Sequence, residues 1–310
     1  MTVCIAAVCE QGRVAVAATD GASSFDGQVF DIRLSKMRWL GEWMFLHSGF
    51  PSNFDLMTLD LLECSVQESE SLRPENIIAT VHAGFRRRLA AWASDRLLMP
   101  LGTNLAELRE KGVAMFGEKN VGQLMSRIIE AAEDWPDQLL LVGWGHGPRH
   151  FILHEENKDG SLSHVPSGFA AIGSGAAVAM SQLHLLGQAP HSTLEETLYR
   201  VAAAKFTAEH AEGVGVSTTF HVTWKQRPED GTRDSGRFLR NKEKDTLRAI
   251  WHEYGNPRMP DGFSTPTLRT PFTELSAILR RSEVPAYIYD EETGATRNVR
   301  LMKDKMEAGS

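Results

Sequence analysis

At 310 residues the chain is long enough to bury one large core or two modest ones. A composition of 42% hydrophobic and 24% charged residues is ordinary for a globular protein and excludes disorder along the whole length. The formal charge of −7 argues against a dedicated binder of nucleic acid or of an anionic membrane; it leaves room for a local basic patch such as Arg86-Arg87-Arg88, a run that on a helix reads as a solvated face.

The N-terminal stretch MTVCIAAVCEQG has no basic segment, no long apolar segment and no export cleavage signature, and no apolar stretch is long enough to span a bilayer. Cys4, Cys9 and Cys64 form an odd count with no CxxC pair, which argues against a disulfide framework or a cysteine-rich zinc site. A cytoplasmic, reducing compartment is the expectation. Threonine in second position is small enough for methionine aminopeptidase to remove Met1. Thr2 would then carry a free α-amine and a hydroxyl on one residue.

Residues 2–9 and 13–19, separated by Glu10-Gln11-Gly12, predict a hairpin of two buried strands. A polar loop from Asp20 to Ser24 follows. A second hairpin over 36–40 and 43–47 turns at Gly41-Glu42 and ends at Ser48-Gly49, and the four strands are expected to form an antiparallel sheet. The period then becomes helical: Leu56, Leu59 and Leu62 mark one helix, and Ile77, Val81, Phe85, Leu89 and Trp92 a second, with Pro74 at its head. A further helix is expected over about 122–133, ending before Pro136. Strands follow at 138–144 and 149–154, then a short strand after Gly168. Gly173-Ser174-Gly175 opens an alanine-rich helix, Leu194 to Ala211 forms another behind Ser192 or Thr193 as cap, and 214–224 is a closing strand. Residues 225–241 read as a polar linker into a tail with helices near 242–254 and 272–281. Segregated runs of strands and helices predict α+β layering, with two sheets face to face and helices on both outer faces.

Thr2, the run Gly12-Arg13-Val14-Ala15-Val16-Ala17-Ala18-Thr19-Asp20, Lys36 and Ser48-Gly49 resemble the N-terminal half of a proteasome β subunit. Ala171-Ile172-Gly173-Ser174-Gly175 and the Leu-Glu-Glu start of the next helix resemble its second half. The likeness covers about 2–224 and points to the bacterial proteasome-related branch of the N-terminal-nucleophile (Ntn) hydrolases. It implies a four-layer αββα sandwich over 2–224, with a helical insertion at about 97–136 and a C-terminal extension at 225–310 that lie outside the common core.

The resemblance implies a threonine-type endopeptidase in which the Thr2 hydroxyl attacks a peptide carbonyl and its own α-amine takes the proton. Lys36 would lower the affinity of that amine for a proton, and Asp20 would keep Lys36 charged and in place. The Gly49 N–H would donate to the developing oxyanion, and Ser174 would hydrogen-bond the α-amine. His47 stands where the family lines its primary specificity pocket; a packed strand histidine is the other reading. No cofactor or metal is implied. The implied partners are a peptide or protein substrate, further copies of the chain in a ring or related oligomer, and an ATP-dependent unfoldase. An amidohydrolase for small amides and a catalytically silent assembly subunit are the competing readings.

Two departures from the family pattern stand out. Gly21-Ala22 replace the basic residue and arginine that usually follow the aspartate, and the family's later aspartate and serine fall on Glu209 and Glu212, with Glu209 the substitute for the aspartate. Plainer readings exist for the other motifs. Gly173-Ser174-Gly175 lacks the spacing and lysine of a nucleotide loop. His150 and His154 share a strand face without a third ligand and read as a structural pair. Trp135, Trp251 and Tyr254 read as packing.

Overall fold

The computed structural model describes residues 2–21, 23–25, 28–30, 36–67, 72–145, 151–225, 236–254, 287–290 and 295–298. β1 (Cys4–Cys9) and β2 (Val14–Asp20) pair antiparallel across a 3₁₀ turn at Glu10–Gly12. Where a polar loop was expected, β3 (Ser23–Phe25) and β4 (Gln28–Phe30) make a small ladder of their own. β5 (Met37–Leu40) and β6 (Trp43–Ser48) form the second hairpin.

Two long helices follow, α1 (Pro51–Gln67) and α2 (Ile77–Leu98); the latter starts beyond Pro74, behind Asn76. The insertion holds two helices where one was expected, α3 (Leu105–Phe116) and α4 (Glu118–Glu133). Asn104 caps α3 by accepting the Glu107 N–H at 2.9 Å. α3 buries only Leu108 and Gly112, too few positions to make a helical stripe legible. β7 (Gln138–Trp144), β8 (Phe151–Asn157), β9 (Gly160–Ser163) and β10 (Phe169–Ile172) lead to α5 (Ala176–Leu185). α6 (Leu194–Ala208) begins in a capping box in which Thr193 accepts the Glu196 N–H and Glu196 reaches back to the Thr193 N–H.

β11 (Thr218–Trp224) starts four residues later than expected. The stretch read as a linker contains β12 (Gly236–Phe238), ahead of α7 (Asn241–Tyr254). β13 (Tyr287–Asp290) pairs with β14 (Ala295–Asn298) in a separate ladder. The helix expected near 272–281 lies outside the described residues.

The architecture is α+β, built on two antiparallel five-stranded sheets ordered β10-β1-β2-β11-β12 and β5-β6-β7-β8-β9. This corrects one expectation, because the two N-terminal hairpins do not share a sheet. β1, β2 and β6 are buried along their whole length, so side-chain alternation carries no mark of which neighbour each strand takes.

Strand alternation sorts the core into three parts. Ile5, Ala7, Val16 and Ala18 pack with Leu183 of α5 and with Leu198 and Phe206 of α6. Their neighbours Cys4, Ala6, Ala15 and Ala17 face Met44, Leu46, Leu140, Val142 and Leu153 of the other sheet. The far side of that sheet, with Phe45 and Leu141, packs on Phe54 and Leu61 of α1 and Phe85 of α2. A satellite cluster ties Leu108 of α3 and Ile128 of α4 to Leu98 of α2. From the tail, Leu247 and Ile250 of α7 join the cluster that covers β1 and β2. Among the described residues, no helix is long and apolar enough to cross a membrane.

Candidate active site

Thr2 lies at the head of β1 and Asp20 at the end of β2, so the tight hairpin brings together residues eighteen apart in sequence. Thr2 is 3% exposed and Asp20 1%. The Thr2 hydroxyl donates to Asp20 Oδ1, and the Val3 N–H donates to the same oxygen at 3.0 Å. The second carboxylate oxygen accepts the Gly215 N–H at 3.0 Å.

Lys36 arrives from the other sheet. Its carbonyl accepts the His47 N–H at 3.0 Å, extending the β5–β6 ladder by one residue. Its ammonium donates to Asp20 Oδ1 at 2.8 Å and to the Thr2 hydroxyl oxygen. A hydroxyl, a carboxylate and an ammonium thus converge at the edge of the intersheet core.

The turn before α5 closes a second side. The Thr2 N donates to Ser174 Oγ at 3.1 Å, Ser174 Oγ donates to the Thr2 carbonyl at 3.2 Å, and the Gly175 N–H donates to the same carbonyl at 3.1 Å. Gly173, at φ +93°, sits so close to the Thr2 carbonyl and the Ser48 hydroxyl that a Cβ there would strike both. Its N–H donates to Gln138 Oε1 at 2.6 Å, tying the turn to the start of β7.

Gly49 follows β6 at φ +138°, and a Cβ on it would occupy the place of the Asp137 carboxylate. That carboxylate accepts from Phe50 N–H at 2.6 Å and from the Asn53 amide at 2.5 Å, and lies 3.1 Å from His47 Nε2. Asp137 therefore folds the Gly49 loop around itself. Gly49 and Ser174 are both exposed, whereas Thr2 is buried.

His47 is 3% exposed and lies on the face of β6 that meets α1, its ring stacked on Phe54 at 4.6 Å. It belongs to the Asp137 cluster behind the Gly49 loop.

Glu209 is not brought to Thr2 or Ser174. It caps the end of α6, where its carboxylate takes the Lys205 ammonium at 2.6 Å and the Arg248 guanidinium on both oxygens, at 2.6 and 2.9 Å. Ser174 instead reaches the Glu212 carbonyl, at 3.4 Å, so the backbone of 212 and not its carboxylate meets the serine.

A thiol borders the site. Cys4 Sγ lies 3.2 Å from the His47 carbonyl, and burial pushes its pKa up to about 12, with the nearby Lys36 only partly opposing the shift. Cys9 is likewise raised by burial. Both thiols are held protonated and poorly nucleophilic at neutral pH.

His154 pairs with Glu156 at 2.8 Å, and Glu156 also meets His82 of α2 at 3.1 Å, while the His150 side chain lies outside the described residues. No group of three potential metal ligands is found among the described residues. Trp135 packs edge-on to Phe85 and Trp92, and Trp251 packs against Phe206.

Sequence reasoning passed over Asp137, Gln138, Lys205 and Gly215. Asp137 alone carried a local signal, an acid directly after Pro136 and before an apolar strand. Gln138 and Gly215 take their meaning from distant partners, Gly173 and Asp20, and Lys205 from its burial between Glu209 and the Gly215 carbonyl. No protein-family model matches the chain, and no curated protein matches it.

Proposed function

We propose that the chain is an N-terminal-nucleophile hydrolase of the proteasome β-subunit type, a threonine peptidase acting through Thr2 once Met1 is removed. One observation carries the reading: Asp20, Lys36 and the Thr2 hydroxyl meet in direct hydrogen bonds, although they come from two hairpins of two different sheets. The three apolar clusters support the finer fold assignment, a four-layer αββα sandwich spanning 2–224.

In this reading the freed α-amine, held by Ser174, takes the hydroxyl proton as Thr2 Oγ attacks the substrate carbonyl. The oxyanion that forms is met by the Gly49 N–H, a contribution worth about 3 kcal/mol in comparable sites. The proton passes to the departing amine, leaving an ester on Thr2. Water then adds to the ester with the amine again as base, releasing the acid and restoring the hydroxyl. Lys36 lowers the proton affinity of the amine through its charge, and Asp20 fixes Lys36. With Met1 attached the Thr2 hydroxyl donates to Asp20, so in the processed chain it turns toward the amine before attack.

The substrate is a peptide or protein, delivered by an ATP-dependent unfoldase where it is folded, and the compartment is the cytoplasm. Phe50, Leu56 and Leu59 are exposed along the start of α1 and support self-assembly. Hydrolysis of short acyl-peptide amides and of casein, with Thr2→Ala as control, tests the reading. Cleavage of both, lost in the variant, supports a peptidase; cleavage of the short amides alone moves the assignment to a small-amide hydrolase. A catalytically silent assembly subunit is the second reading. It is favoured by the diversion of Glu209 to Lys205 and Arg248 and predicts no hydrolysis of either substrate.

A further inference from the structure

The C-terminal extension reaches the candidate site through a run of alternating charges. Lys205 is wholly buried on α6, where burial lowers its pKa and the Glu209 carboxylate opposes the shift. An ammonium in such a place persists only when paired and hydrogen-bonded. Glu209 supplies the pair at 2.6 Å, and the Gly215 carbonyl accepts a second Lys205 N–H at 2.9 Å. On the other side of the same residue, the Gly215 N–H donates to Asp20 Oδ2 at 3.0 Å. Lys205 and Asp20 therefore grip one glycine from opposite sides.

α7 closes the chain of contacts. Arg248 forks onto both Glu209 oxygens and donates to the Val216 carbonyl at 3.2 Å, while its guanidinium lies 4.0 Å over the Phe206 ring. Lys244, one turn earlier, reaches the Thr218 carbonyl at 3.5 Å. The Gly21 N–H donates to the Ser217 carbonyl at 3.1 Å, so the segment from Gly215 to Thr218 is held by β2 on one flank and α7 on the other. Charges alternate in order from Lys36 through Asp20, Lys205 and Glu209 to Arg248, and the Glu209 carboxylate stands between the two cations Lys205 and Arg248, which share its Oε1.

We propose that α7 is an integral part of the reacting centre, with Arg248, Glu209 and Lys205 acting as positioning residues that hold the Gly215 N–H against Asp20. The proposal rests on the hydrolase reading for its consequence, since Asp20 matters only if Thr2 reacts. It assigns a role to the first part of the extension and to the glutamate that does not reach Thr2.

Arg248→Met keeps an apolar stem over Phe206 and removes the fork; Arg248→Lys keeps the charge. Amide exchange by NMR and the rate of Thr2 acylation by a β-lactone are read for both variants and for the unaltered chain. In Arg248→Met the Gly215 amide is expected to exchange roughly tenfold faster, the Val8 amide of β1 to be unchanged, and acylation to slow by roughly tenfold or more. Arg248→Lys is expected to recover part of both. Gly215 exchange and acylation unchanged in a folded Arg248→Met protein would overturn the proposal, as would faster exchange with acylation intact. If Arg248→Met does not fold, the same two outcomes are read from Arg248→Gln, which also removes the charge that pairs with Glu209. Absence of acylation in the unaltered chain would count against the hydrolase reading, while Gly215 exchange would still report on the coupling.

Discussion

Lys36 is the residue whose position says most, because it leaves its own sheet to meet a carboxylate and a hydroxyl of the other. Removing its charge in Lys36→Ala is expected to slow β-lactone acylation of Thr2 by about a hundredfold or more while the fold persists, as judged by the far-UV spectrum. Asp137 is expected to matter for stability first. Asp137→Ala strands His47, the Phe50 N–H and the Asn53 amide, and urea unfolding is expected to show a loss of about 3 kcal/mol. His221 gives a pH signature: it lies 5% exposed between Trp39 and Phe238, and burial lowers its pKa from 6.5 to about 4. Between those values the unfolded chain takes up a proton that the folded one refuses, so stability is full above pH 6.5 and falls as the pH drops. Relative to His221→Phe, unfolding measured at pH 7 and pH 4 is expected to show about 3 kcal/mol of extra loss.

At the scale of elements, legibility followed the range of the contacts. The first hairpin, the α6 cap and the turn before α5 are local, and their residues announced them. Thr2 and Asp20 are joined by one hairpin, and the family resemblance named both, with Asp20 expected on Lys36; the direct Thr2–Asp20 hydrogen bond was not foreseen. The place of Glu209 was not legible: the resemblance put it where the family has its later aspartate, but its side chain follows the α6 turn back to Lys205 and out to Arg248, thirty-nine residues on. Which sheet each fully buried hairpin enters was equally hidden. The local α6 signal makes a local prediction. Thr193→Ala removes a capping box and is expected to cost about 1 kcal/mol in urea unfolding, with Thr2 acylation unchanged.

For the whole molecule, hairpins of the two sheets bring Thr2, Asp20 and Lys36 together, α5 and α6 share a core cluster with β1 and β2, and α1 and α2 share one with β6 and β7. The exposed Phe50, Leu56 and Leu59 point to association, and light scattering at micromolar concentration is expected to give a mass above the 34.4 kDa of one chain, lowered by Leu59→Glu. A single-chain mass would contradict self-assembly and leave the site chemistry standing. Intact mass spectrometry before and after treatment with a β-lactone, with Thr2→Ala as control, tests that chemistry most directly. The expected result is a chain beginning at Thr2 that gains one inhibitor mass, with no gain in the variant. A chain that retains Met1 and gains nothing would contradict the assignment of Thr2 as nucleophile.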